Sequence, residues 1–160
     1  MPRLLECYLR ASIQFATSFC VRTFFSHKSQ ASSLPFPFIQ HMQIFNRFSL
    51  EAARRLPQLP PEHPCSRLHG HSFQIEVHVS GPLDASLGWV IDFADIQLAW
   101  QPVHAALDHR CLNDVAGLEN PTSELLAQWI WQRLQPALPG LSKIVVMETP
   151  NSGCIYCGEA

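Results

Sequence analysis

No apolar run in this sequence approaches the ~20 residues that a bilayer-spanning helix requires, so no membrane partner is expected. A surplus of basic charge is also missing. Eleven Lys and Arg stand against 13 Asp and Glu, a formal net charge of -2, which gives no reason to expect nucleic acid as the main partner. Six cysteines are present (Cys7, Cys20, Cys65, Cys111, Cys154 and Cys157), but they lack the regular spacing of a disulfide framework and no secretory signal peptide precedes them. A reducing, cytoplasmic compartment is therefore expected. Cys154-x-x-Cys157 is the one close pair; alone it cannot supply the four thiolates of a structural zinc site, and it is read as coincidence. No internal repeat at a fixed period is visible. What is there is ordinary for one globular domain: 160 residues, 47% apolar and 15% charged.

Residues 1–41 differ from the rest. They hold one acid, Glu6, against Arg3, Arg10, Arg22 and Lys28, several Ser, and a linker-like Ser-Leu-Pro-Phe-Pro-Phe at 33–38. Such composition is that of an organellar transit peptide; the plainer and preferred reading is that Met42 is the natural start. On either reading 1–41 is an extension without an independent fold, and 42–160 is the domain.

From Met42 onward the pattern is α+β. Ile44 to Leu50 alternates loosely as a strand and runs into Glu51-Ala-Ala-Arg-Arg55. Pro57, Pro60, Pro61 and Pro64 make 57–68 a loop. His71 to Ser80 alternates strictly, with Phe73, Ile75, Val77 and Val79 on one face and Ser72, Gln74, Glu76 and His78 on the other: a half-buried strand of an antiparallel sheet. Gly81-Pro82 ends it. Trp89-Val-Ile91 reads as a short strand or extended run. Phe93 to Leu107 reads as a helix with apolar positions Phe93, Ile96, Leu98, Val103 and Leu107, kinked or shortened at Pro102. Asn120-Pro-Thr-Ser-Glu124 predicts a second helix, with Asn120 as cap and Pro121 at the first position. Its apolar face is Leu125, Leu126, Trp129, Ile130 and Leu134, and Pro136 ends it. Lys143 to Thr149 is a strand, and Cys154-Ile-Tyr156 is a candidate last one.

Four features carry chemistry. His69 and His71 flank Gly70 at a strand mouth, where residues i and i+2 project to one side and both imidazoles can reach one point. Imidazole suits zinc, and a catalytic zinc takes three protein ligands plus an open position; two hydrogen-bonded strand histidines are the plain alternative. Cys65 lies in the Pro-rich loop four residues before His69, either a reactive thiol beside a cation or a small apolar loop residue. Asp108-His109 closes the first helix, as an acid that orients an imidazole or as an ordinary surface pair. Glu148 ends an apolar strand; there a carboxylate is costly unless paired, and it can accept two hydrogen bonds from a cyclic guanidine-like edge. Otherwise it is a rim residue in water.

Together, in order and spacing, these features resemble the 6-pyruvoyltetrahydropterin synthase superfamily, and within it the carboxytetrahydropterin-forming branch of queuosine biosynthesis. The carrying segments are Phe48-Ser-Leu-Glu-Ala-Ala-Arg-Arg-Leu-Pro57, Cys65-Ser-Arg-Leu-His-Gly-His-Ser72, Gly88-Trp-Val-Ile-Asp-Phe93, Leu107-Asp-His-Arg-Cys-Leu-Asn-Asp114, Leu118-Glu-Asn-Pro-Thr-Ser-Glu124, Glu148-Thr149 and Gly153-Cys-Ile-Tyr156. The likeness spans about residues 44 to 159. It implies a tunnelling-fold subunit, a four-stranded antiparallel sheet with two helices on one face, assembled into a homotrimer or homohexamer with active sites at subunit contacts. It implies Cys65 as the proton-abstracting residue, Asp108 and His109 as its partner dyad, Glu148 as pterin anchor with Thr122 beside it in substrate binding, and His69 and His71 as two of three zinc ligands. The implied substrate is 7,8-dihydroneopterin triphosphate. The implied products are 6-carboxytetrahydropterin, acetaldehyde and triphosphate, with zinc as Lewis acid.

One position departs. The family's third zinc ligand is a His in a Glu-Ala-Ala-His-Arg-Leu-Pro context, and here it is Arg54. Guanidinium has no lone pair to give and repels a divalent cation. Three readings stand. His63, in the loop of Cys65, substitutes for the missing ligand; or pterin binding is kept without zinc chemistry, giving a non-catalytic relative; or Arg54 is an error or a damaged copy.

Overall fold

A computed structural model describes residues 41–158. The readings made for 1–40, including Cys7 and Cys20, lie outside the described residues. Two long strands, β1 (His41–Arg54) and β2 (His69–Pro82), pair antiparallel along their whole length. Helix α1 (Phe93–Leu107) follows, then the two-residue strand β3 (Arg110–Cys111) and helix α2 (Ser123–Leu134). Strands β4 (Leu141–Thr149) and β5 (Ser152–Tyr156) close the chain as a hairpin. The sheet order is β3-β1-β2-β4-β5.

The alternation read in β2 is what sets the layers. Phe73, Ile75 and Val77 are fully buried, facing the helices together with Leu50 from β1 and Ile144 and Val146 from β4. Helix α1 lies against β1, and α2 lies against β4 and β5, so both helices cover one face of the sheet. Burying such a face removes the strongly apolar side of each strand from water at about 25 cal/mol per Å². The opposite face stays largely exposed. His78 and Val145 are buried there; His78 is 5% exposed, stacked under Phe45 at 5.0 Å between ring centroids and 3.0 Å from Glu76.

Five elements correct the sequence reading. The sheet has five strands rather than four, because His109 turns the chain through φ +55 and donates its backbone N–H to Glu51 O at 2.7 Å, which lays Arg110–Cys111 parallel to β1. Strand β1 does not stop at Leu50; its pairing continues to Arg54 opposite His69. Trp89-Val90-Ile91 forms no strand. Asp84 ties that segment into a closed loop, accepting from Ser86 and Leu87 N–H at 2.8 Å each, while its own N–H donates to Trp89 O. In α1 the buried stripe is Ile96, Trp100, Val103 and Leu107, whereas Phe93 and Leu98 are exposed, and the helix runs on through the exposed Pro102. Leu125 of α2 is likewise exposed, while the other four predicted positions are buried. The cap of α2 is Thr122, not Asn120. Its hydroxyl accepts from Leu125 N at 3.3 Å, and Pro121 stands outside the helix with its carbonyl free for another partner. Among the described residues no helix is long and apolar enough to cross a membrane.

Candidate active site

The cross-strand pair Arg54–His69 fixes the site. Directly opposed residues project to the same face, and His71 follows two residues on, so the three side chains share the helix-covered side of the sheet. Glu148 reaches that side from β4, in phase with the buried Ile144 and Val146. Ser123 comes to it as the first residue of α2.

Arg54 lies at the centre and is 3% exposed. Its Nη1 donates to the carbonyl that Pro121 leaves free, at 3.0 Å, and lies 3.4 Å from Ser123 Oγ. Its Nη2 donates to Glu148 Oε2 and sits 3.5 Å from His71 Nε2. The guanidinium carbon lies 5.3 Å from the centroid of the Phe73 ring, within cation–π range. Ser123 Oγ donates to the same Glu148 Oε2 at 2.9 Å.

The charges answer to this packing. Burial alone raises the pKa of Glu148, but the hydrogen bonds from Ser123 and Arg54, with the Arg54 charge, outweigh it and hold the carboxyl below its ordinary value. His71 is pushed below the usual histidine value by burial first and by the Arg54 cation second. Its imidazole is accordingly neutral at pH 7.

Cys65 sits half-buried in a 3-10 turn, Pro64–Ser66. Its N–H donates to His63 Nδ1 at 3.1 Å, and its carbonyl accepts from Leu56 N at 2.8 Å, which ties the loop back to the end of β1. Cys65, Thr122, Ser123 and Glu148 line one cleft of about 290 Å³ with Arg54. Three of the predicted residues, Cys65, Thr122 and Glu148, therefore meet within one chain. Asp108 and His109 do not join them. His109 Nδ1 lies 2.7 Å from Asp108 Oδ2, while Asp108 Oδ1 accepts from Glu51 N at 3.0 Å. That backbone hydrogen bond, and then the His109 contact, hold the Asp108 carboxyl below its ordinary range. His109 lines a separate, open hollow of about 470 Å³, which it shares with Gly70 and His71. Sequence reasoning missed Ser123 as a functional group. Its signal was its place at the start of α2, beside Thr122.

The donor set decides whether zinc fits. His69 Nδ1 bonds Arg67 O at 2.8 Å, and its Nε2 is buried without a hydrogen-bond partner, an arrangement that suits a metal ligand. His71 is neutral and stands 5.0 Å away between ring centroids. The third place is filled by a guanidinium 3.5 Å from His71 Nε2. His63 does not replace it, because its Nδ1 caps the turn at Cys65, and among the described residues no three His, Cys, Asp or Glu side chains group to hold an ion. Two imidazoles beside a buried cation do not fit the three-ligand zinc site that the resemblance implies.

The fold, with a cleft lined by a cysteine and a strand-end glutamate and a His-Gly-His segment opening the neighbouring strand, is that of a tunnelling-fold subunit. The chain belongs to the 6-pyruvoyl tetrahydropterin synthase family, whose model matches residues 43–159. It is similar to the 6-carboxy-5,6,7,8-tetrahydropterin synthase of Synechocystis sp., 43% identical over 119 residues that cover 71% of this chain and 91% of that one. It is also similar to the dihydroneopterin monophosphate aldolase of Pyrococcus furiosus, 42% identical over 77 residues, 48% of this chain and 64% of the aldolase. Among solved structures, the 6-pyruvoyl tetrahydropterin synthase of Caenorhabditis elegans superposes with a TM-score of 0.70 at 25% identity, over 76% of this chain and 98% of that chain.

Proposed function

We propose that this protein is a carbon–carbon lyase of the 6-carboxy-5,6,7,8-tetrahydropterin synthase type, serving queuosine biosynthesis. The observation that carries the reading is the single cleft lined by Cys65, Thr122 and Glu148. It is supported by the likeness to the Synechocystis enzyme over nearly the whole domain. The proposed substrate is 7,8-dihydroneopterin triphosphate, which with one water gives 6-carboxytetrahydropterin, acetaldehyde and triphosphate. The reaction is redox-neutral. The first side-chain carbon is oxidised to a carboxylate, and those electrons reduce the pterin ring and the departing two-carbon unit, so no external reductant is required.

The residues take separable parts. Glu148, ionised above its depressed pKa, accepts the amino and ring N–H groups of the pterin edge. The Cys65 sulfur, in the cleft lining, removes a side-chain proton as general base. His109 exchanges the second proton through Nε2, with Asp108 on Nδ1 fixing the tautomer and ring orientation. Because His109 opens onto a different hollow from Cys65, the dyad is assigned to the active site of a neighbouring subunit, which makes the working form a homotrimer or homohexamer in the cytoplasm. Zinc belongs to the family reading, but with Arg54 in the third place no step is derived through it.

Incubation of the full-length protein with dihydroneopterin triphosphate is expected to give 6-carboxytetrahydropterin by mass spectrometry, together with acetaldehyde. A pyruvoyl product, or the 6-hydroxymethyl product of aldol cleavage, would assign the chain to another reaction of the same fold. No consumption of substrate would overturn the lyase reading.

A further inference from the structure

One side chain already does to Glu148 what a ligand would do. A carboxylate oxygen has two lone pairs, and those of Oε2 are both used, one by Arg54 Nη2 and one by Ser123 Oγ. Oε1 has no protein hydrogen bond among the described residues. A heterocycle carrying a cyclic guanidine edge presents two adjacent N–H groups and binds a carboxylate through both oxygens, one N–H to each. Here only half of that acceptor is open.

The occupant is itself a guanidinium, planar and forked like the edge it opposes. It is also held imperfectly. Arg54 is 97% buried by complement of its 3% exposure, yet its Nε is buried with no hydrogen-bond partner. A purely structural arginine would satisfy that donor, since an unpaired buried N–H is costly. Its grip is strong through the Nη atoms, on Pro121 O and Glu148, and absent at Nε.

We infer that Arg54 is an internal competitor for the Glu148 anchor: it holds Oε2, and a 2-amino-4-oxo heterocycle gains its second hydrogen bond only by displacing the guanidinium. This rests on the pterin reading of the cleft given above. Arg54 thereby sets specificity. Ligands that need both carboxylate oxygens are penalised, whereas ligands content with Oε1 alone are not.

Calorimetric titration of the full-length protein tests this with neopterin, the oxidised and unphosphorylated pterin. Lumazine, whose 2-oxo group replaces the amino group, is the control ligand. Arg54→Met fills similar space without donors. Arg54→Gln is the second variant, and thermal unfolding confirms that each is folded. Both variants are expected to bind neopterin roughly tenfold or more tighter than the unaltered protein, the usual worth of one hydrogen bond to a charged group. Lumazine affinity should change by no more than about threefold, because the edge that replaces the amino–N3 pair offers one donor, N3–H between two carbonyls, and Oε1 satisfies it. If both folded variants bind neopterin no tighter than the unaltered protein, the inference is overturned and the pterin reading stands. If none of the three proteins binds neopterin, the inference is overturned together with the pterin reading beneath it.

Discussion

Cys65→Ala is expected to lower kcat on dihydroneopterin triphosphate by roughly 10²–10⁴-fold, the usual contribution of a positioned general base. KM should change little. The thiol lines the cleft beside Glu148, but the turn that carries it is held by other groups: its backbone N–H donates to His63 Nδ1, and its carbonyl accepts from Leu56 N–H. Stability should therefore stay within about 0.5 kcal/mol, as for a substitution away from the core. Steady-state kinetics with a thermal melt on the same preparation checks both halves. A variant that keeps its turnover would remove Cys65 from the chemistry. One that loses turnover and melts early would leave the cysteine a structural role.

Glu148→Gln is expected to cost about 3 kcal/mol, the lower part of the range for leaving a buried charge without its partner. The reason lies across the sheet. Arg54 is 3% exposed, and Glu148 is its only carboxylate partner among the described residues. Glutamine would keep the volume while removing the charge. A loss of that size lowers the melting temperature by roughly 10 °C for a domain of this length. In the Arg54→Met background the same Glu148→Gln change should cost under about 1 kcal/mol, because no buried cation remains to be stranded. The sign of the pH effect follows. A carboxyl with a depressed folded-state pKa contributes stability above its unfolded value of about 4.3, and that contribution is lost as pH falls through the folded value. The gap between unaltered protein and Glu148→Gln should thus be full at neutral pH and narrow in acid. A full-sized loss that persists in the Arg54→Met background would contradict the pairing.

Much of this was legible from residues alone, for identifiable reasons. The period-two pattern of β2 is strict because one face packs on helices and the other meets water, so Phe73, Ile75 and Val77 came out buried as read. Helix α1 was bounded correctly, since Asp92 caps it, accepting from Ala94 N at 2.8 Å. The cap of α2 slipped by two residues because Asn120 and Thr122 are both good caps, and only the backbone path decides between them. Strand β3 has two residues, too few to carry a period, and depends on a left-handed turn at His109.

The site was readable as a set of residue types but not as a set of contacts. Cys65, Thr122 and Glu148, read from separate segments, line one cleft. Nothing local to residue 54 announces that its guanidinium closes on a carboxylate 94 residues away, or that Ser123 joins them. Arg54 read as a missing ligand. In the fold it is a buried cation with a position of its own, bridging β1, β4 and the start of α2.

The central claim is that a guanidinium fills the third-ligand place of an otherwise pterin-type site. Zinc content of the purified protein, measured per chain by plasma mass spectrometry beside an Arg54→His version, tests it most directly. The protein as it stands should hold well under one zinc per chain, and Arg54→His should bring it near one, since restoring a ligand is worth at least ~10–100-fold in affinity. About one zinc per chain in both proteins would contradict the account.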